Sequence, residues 1–279
     1  MTIPRCCRRL LVSSFLSTHF ATRPEVMKEL YQSLAEKLPD PGLLFLNYGF
    51  AAADETESWV HVSDAGYRCH LNLVRHVLQG VDLRSKTVLE VGCGRGGNCY
   101  YLARYTQAEQ IVGLDCCLPN IALARRNSKL GKVQVLAGDA QRLPFANESF
   151  DVVLNLESAH CYSDFPAFLA ESARVLAKDG SFCFADLWDL EIIPVEWPAR
   201  EEALANCPLK IISREDISEQ VFQALNRSDS ICEELRRLSA PENRNLLERV
   251  IRGAEALRAS LASGCCSYYV WTMRKDVSS

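Results

Sequence analysis

Between Lys86 and Asp186 the chain alternates short apolar runs with helix-patterned stretches, a rhythm that few folds accommodate. TVLEV leads into a helix from about Gly97 to Tyr105, QIVGLD into a helix from Pro119 to Lys129, and VQVLAGD follows. FDVVLNL then leads into a helix from Phe165 to Leu176 and SFCFADL. Strands joined by helical crossovers pair in parallel, and right-handed crossovers place helices on both faces of one sheet. The runs are continuously apolar rather than alternating, as strands covered on both faces must be. An α/β, doubly wound, mostly parallel sheet is expected, with its ligand at the carboxyl ends of the strands. At 279 residues and 48% hydrophobic content, the chain is long enough to close one such core.

The flanks add to this frame. From Pro24, apolar residues at Val26, Leu30, Leu34 and Leu38 mark a cover helix that Pro39-Asp40-Pro41-Gly42 ends, and the Leu71, Val74, Leu78 stripe marks a second helix closed by Gly80. Beyond Asp186, LKIIS and the aromatic SYYVWTMRK read as strands, with a helical insertion of about residues 215–264 between them. That insertion is too long for an ordinary connection and is expected to be a lid, with Ile217, Val221, Leu225, Leu235 and Leu238 lining an apolar cavity. Residues 1–23 carry Arg5, Arg8, Arg9 and Arg23 among serines, with no acid before Glu25, which suits a basic tail or an organellar targeting segment. The catalytic domain is expected over 24–279.

Composition excludes several classes. A formal net charge of -4 lacks the basic footprint of a nucleic-acid binder. The 13 cysteines include no CxxC pair, so neither a zinc knuckle nor a redox dithiol is offered, and free thiols point to a reducing, cytoplasmic setting. No uncharged apolar run reaches the ~18 residues of a membrane span. His19, His61, His70 and His76 have no partner cluster, so no metal site is expected.

The sharpest motif is Glu90-Val-Gly92-Cys-Gly94-Arg-Gly96-Gly97, set directly after a strand and before a helix. Glycines let a ligand approach the backbone, and the free N–H groups of the helix start attract an anionic group. Asp115 ends the next strand, where a carboxylate can take both hydroxyls of a ribose. A nicotinamide dinucleotide also suits such a carboxylate. Against it stand the acid ahead of the glycines and a GxGxG rather than GxGxxG spacing; an acidic pocket favours a cationic ligand.

Residues 86–188 resemble class I S-adenosylmethionine-dependent methyltransferases motif by motif: VLEVGCGRGG, GLD ending at Asp115, GDAQRLPF holding Asp139, ESFDVVLNLES, and RVLAKDGSF. The wider frame of FLNYGF, DAGYRCHLNL, LNLESAHCY and SYYVWTMRK is similar to the subgroup of phthiotriol/phenolphthiotriol dimycocerosate methyltransferases and macrolide-type O-methyltransferases, over about residues 43–275. The resemblance implies a seven-stranded sheet with an antiparallel last strand and S-adenosylmethionine as cofactor. It also implies Gly92 and Gly94 close to that cofactor, with Glu90 in the acidic pocket, Asp115 at the ribose, Asp139 and Ala140 at the adenine, and Asn155 at the methionyl part.

In related O-methyltransferases a histidine in this position serves as base, which points to His160, assisted by Asp186. By residue type alone, His160 equally suits a loop cap or a passive hydrogen-bond partner. Tyr48 and Trp59 lie in loops able to close over a sulfonium with their aromatic faces, or they pack in the core. Tyr100 and Tyr162 are open in the same way, and Glu157 ranks behind His160. The expected activity is O-methylation of a hydroxyl on a hydrophobic lipid or polyketide-like molecule by a monomer or homodimer. C-methylation of an isoprenoid or sterol, and a fold that has lost catalysis, are the alternatives.

Overall fold

The computed structural model describes residues 24–53, 59–128, 131–188, 197–227 and 240–275. Seven strands form one sheet: β1 (Thr87–Val91), β2 (Gln110–Asp115), β3 (Val133–Ala137), β4 (Phe150–Leu156), β5 (Leu176–Trp188), β6 (Leu209–Asp216) and β7 (Ser267–Lys275). Their order is β3-β2-β1-β4-β5-β7-β6. β1 pairs in parallel with both β2 and β4, so the chain reverses its winding direction between β1 and β4. Only β7 runs antiparallel, entering between β5 and β6.

The helices are α1 (Pro24–Lys37), α2 (Arg68–Val77), α3 (Gly97–Tyr105), α4 (Leu118–Asn127), α5 (Phe165–Val175), α6 (Trp197–Asn206), α7 (Ser218–Asn226) and α8 (Arg244–Ser263). Alternation along β1 decides which helices cover which face. Val88 joins the core beneath α2, α3, α7 and α8, whereas Leu89 and Val91 join the aromatic core under α5 and α6. The latter core is built on Phe168, Phe182, Phe184, Trp188 and Trp271, all fully buried. Among the described residues no helix is long and apolar enough to cross a membrane.

The described start of the insertion packs into the core instead of lining a cavity. Ile217, Val221 and Leu225 are buried in the main core beside Tyr268 and Leu257. The chain turns straight from β6 into α7, and that turn is anchored by Ile217 N–H on the Tyr268 carbonyl at 2.9 Å, so the apolar stripe has to face the sheet. Leu235 and Leu238 lie outside the described residues, as do residues 1–23. Farther on, Leu247 and Ile251 of α8 pack against Leu34 of α1 and Leu38 just past its end. This described part of the insertion backs the N-terminal helix.

Candidate active site

A cavity of about 660 Å³ opens over the carboxyl ends of β1, β2 and β4, where the winding reverses. Its floor is the glycine loop. Gly92 sits at φ +77°, and a Cβ there would stand 2.3 Å from the Ser158 Oγ, so no other residue lets the loop pass under the turn that follows β4. The Gly92 and Cys93 N–H groups both donate to the Leu114 carbonyl, at 2.8 and 2.9 Å, fixing the loop to β2.

Asp115 holds the same loop by its side chain. Its Oδ2 accepts from Gly94 N–H and its Oδ1 from Cys117 N–H, each at 2.8 Å. Burial pushes the carboxyl above its ordinary value, and the N–H donors of Cys117 and Gly94 pull it back. The carboxylate so held lines the cavity. Across the cavity, Asp139 accepts from the backbone and side-chain nitrogens of Gln141 at 2.9 and 3.1 Å, a closed turn that presents Ala140 to the lining.

Of the residues singled out by sequence, Gly92, Gly94, Asp115, Asp139 and Ala140 thus share one cavity. Glu90, Asn155 and Tyr48 are not part of its lining. Glu90 points beneath α3, where Asn98 Nδ2 and Cys99 Sγ donate to it at 2.8 and 2.9 Å. Its place beside Val88 on the α3 side of β1 dictates that direction, and burial pushes its carboxyl up to about 7. Asn155, fully buried at the end of β4, ties the Val91 carbonyl to Ser158 Oγ and Tyr162 OH and so supports the floor from below. Tyr48 packs against the core, and Trp59 lies against Tyr101, Tyr105 and Arg75.

The wall facing the glycine loop comes from α1, which sequence did not assign to the site, and from the segment after it. Met27, Lys28 and Tyr31 of α1, with Phe45 and Asn47, close that side. The signal was present as a second stripe at i, i+4 beside the Leu30–Leu34–Leu38 face, but nothing local says that it docks on the glycine loop. Arg95, inside the glycine motif, makes the connection. Its Nη1 donates to the Leu38 carbonyl at 2.9 Å and the Leu43 carbonyl at 3.3 Å, and its Nη2 donates to Leu34 at 2.8 Å, capping the end of α1. With Arg95 so engaged, Asp115 and Asp139 outnumber Lys28 along the lining. That balance, with Tyr31 and Phe45 as aromatic wall, fits a ligand that carries positive charge.

At the β4–β5 end the structure brings His160 and Asp186 together. Asp186 Oδ1 lies 2.6 Å from His160 Nδ1, and Oδ2 accepts the His160 N–H at 2.9 Å. Their side chains are 5% and 1% exposed and do not themselves line the cavity. Burial alone would lower the imidazole, but the Asp186 carboxylate and the neighbouring Cys161 raise it well above the ordinary histidine value. With Nδ1–H committed to the carboxylate, Nε2 is the basic nitrogen of the neutral ring. Cys161, next to the imidazole, does reach the cavity.

Beside this pair stands Glu157, which lines the cavity from a left-handed backbone position at φ +53°. Tyr48 N–H and Tyr268 OH both donate to its carboxylate. Burial pushes that carboxyl up to about 8, against the pull of these two donors.

The family described as "Methyltransferase domain" matches residues 89–184, the span from β1 through most of β5. The phthiotriol/phenolphthiotriol dimycocerosates methyltransferase of Mycobacterium leprae is 32% identical over 95% of this chain and 98% of its own. A fatty-acid O-methyltransferase of Mycolicibacterium smegmatis is 36% identical over 73% of each chain. Among solved structures the cyclase SpnF superposes with a TM-score of 0.70 at 20% identity, over 91% of this chain and 97% of that one, a likeness of fold alone. With sequence similarity along nearly its whole length and this sheet order beneath the cavity, the chain belongs to the class I S-adenosylmethionine-dependent methyltransferases.

Proposed function

We propose that this methyltransferase O-methylates a hydroxyl group of a hydrophobic small molecule, a lipid or polyketide-like compound. The observation that carries the reading is the buried His160–Asp186 pair at the end of β4 and β5, a base with its orienting carboxylate next to the cavity. The two curated relatives, named for lipid methylation, support the hydrophobic acceptor. Gly92, Gly94 and Asp115 would hold the ribose and methionyl portions of S-adenosylmethionine, and Asp139 with Ala140 the adenine. When bound, that cofactor supplies a methyl group made electrophilic by its sulfonium.

The chain's own residues then have three tasks. The glycine loop and α1, joined through Arg95, exclude water from the reacting centre. The post-β4 turn, fixed by Asn155, Ser158 and Tyr162, sets where the acceptor oxygen rests. Acceptor entry moves the Cys161 thiol aside, His160 Nε2 takes the hydroxyl proton as the oxygen attacks, and Asp186 stabilises the imidazolium that results. Transfer of labelled methyl groups to a hydroxylated lipid, abolished in His160→Ala with cofactor affinity retained, tests the assignment. Equal turnover in that variant would leave orientation as the whole of the catalysis.

A further inference from the structure

Glu157 is held from three elements at once, more firmly than a residue that merely closes a turn. Its N–H donates to the Ala185 carbonyl of β5 at 2.8 Å, Tyr268 OH of β7 donates to Oε1 at 2.8 Å, and Tyr48 N–H reaches Oε1 at 3.0 Å and Oε2 at 3.1 Å. The left-handed backbone at φ +53° is a cost for a glutamate, and such costs concentrate where a side chain must be aimed. The carboxyl faces the cavity at its β4–β5 end, beside the His160–Asp186 pair.

The charges around it are one-sided. The nearby imidazole is bonded to Asp186, and the Arg200 guanidinium is spent on the Ala159 and Tyr162 carbonyls at 3.1 and 3.3 Å. Lys28 stands at the opposite end, beside Cys116 and Cys117. A carboxylate acceptor placed here would meet the Glu157 carboxyl; among the described lining residues the cations are Lys28, at the other end, and Arg95, bonded to the end of α1. Glu157 and the acceptor's carboxyl would have to share a proton, and a proton shared with the acceptor blunts its oxygen as a nucleophile. A neutral diol brings no such charge: one hydroxyl can donate its hydrogen to Glu157 while the reacting one keeps its hydrogen for His160.

We propose that Glu157 receives a second hydroxyl of the acceptor, beside the reacting one, and selects neutral polyols over carboxylates, a specificity that rests on the methyltransferase reading above. The distinction matters because the relatives divide between a phthiotriol enzyme and a fatty-acid enzyme.

The test uses the full chain saturated with S-adenosylhomocysteine, titrated calorimetrically with dodecane-1,2-diol and with dodecanoate at a pH of about 9, above the Glu157 value of about 8. At that pH the groups facing Glu157 are Asp186, His160, Cys161, Tyr31, Tyr48 and Tyr268. The expected result is a diol affinity at least about tenfold above that of dodecanoate, narrowing to within about threefold in Glu157→Gln, chiefly through a gain for dodecanoate. Tyr268→Phe, which removes one donor without altering charge, is expected to weaken diol binding and to leave dodecanoate excluded; it carries the test if Glu157→Gln fails to fold. An equal or higher affinity for dodecanoate in the wild type overturns the proposal. So does an unchanged ratio in Glu157→Gln, an unchanged diol affinity in Tyr268→Phe, or no binding of either ligand. Failure of S-adenosylhomocysteine itself to bind would instead overturn the methyltransferase reading.

Discussion

Replacing Asp186 by Asn should move the acid limb of the pH–rate profile downward while lowering the maximal rate. In the wild type three influences act on His160: burial favours the neutral ring, whereas the Asp186 carboxylate and Cys161 favour the imidazolium and prevail. The base form therefore appears only as pH rises through a value well above the usual 6.5, and kcat/KM should still be climbing at neutrality. In Asp186→Asn the dominant cationic stabiliser is gone and burial remains, so the neutral ring persists to lower pH than in the wild type. The amide also loses the charge that holds the imidazolium formed during transfer, and the turn loses strength where Asp186 accepts the His160 and Leu187 N–H groups at 2.9 and 2.8 Å. A fall in kcat of about 10²–10⁴, the span for an impaired general base, corresponds to roughly 2.7–5.5 kcal/mol in barrier. The assay is initial-rate transfer from methyl-labelled cofactor across pH, with cofactor affinity measured alongside. Identical acid limbs in the two proteins, or a limb that moves upward in Asp186→Asn, would refute the pairing as the source of the titration.

Asp115→Ala should weaken cofactor binding by about 1.5–3 kcal/mol, the scale of hydrogen bonds to a charged group, and calorimetry on the folded variant reads it directly; unchanged affinity removes Asp115 from the ribose. Arg95→Ala leaves the Leu34, Leu38 and Leu43 carbonyls without their donor and should cost about 2–3 kcal/mol of stability while weakening cofactor retention, seen as a lower Tm and faster dissociation. Glu90 and Glu157 have folded values raised to about 7 and about 8 from 4.5, so the folded state binds their protons more tightly than the unfolded chain. His160, raised from 6.5, contributes stability that is full below that value and is lost as pH climbs through its folded value. Thermal stability should thus decline as pH rises from about 6 to about 9, with part of the slope removed in Glu90→Gln; a flat or rising Tm contradicts these assignments.

The sheet was legible because its signals are local and redundant: five apolar runs separated by helix-length stretches permit little else. The glycine loop and Asp115 were legible for a related reason, since a close backbone approach and a strand end both leave marks in the adjacent residues. Side-chain direction was harder to read. Glu90 follows Leu89 and precedes Val91 on a strand covered on both faces, and only knowing that Val88 faces α3 sends its carboxylate to Asn98 and Cys99 instead of the cavity. The docking of α1 was illegible because it depends on Arg95 meeting carbonyls distant in sequence. Ile217, Val221 and Leu225 suited a lid and a core equally by hydropathy, and the close turn out of β6 decided for the core.

The most direct test of O-methylation at a hydroxyl is incubation of the purified chain with methyl-labelled S-adenosylmethionine and a total lipid extract, followed by organic extraction and mild alkaline hydrolysis. Transfer to a hydroxyl predicts label in an organic-phase product that survives hydrolysis, as an ether does, and its loss in His160→Ala. Label released by alkali, as from a methyl ester, or the absence of any labelled organic-phase product, would contradict it.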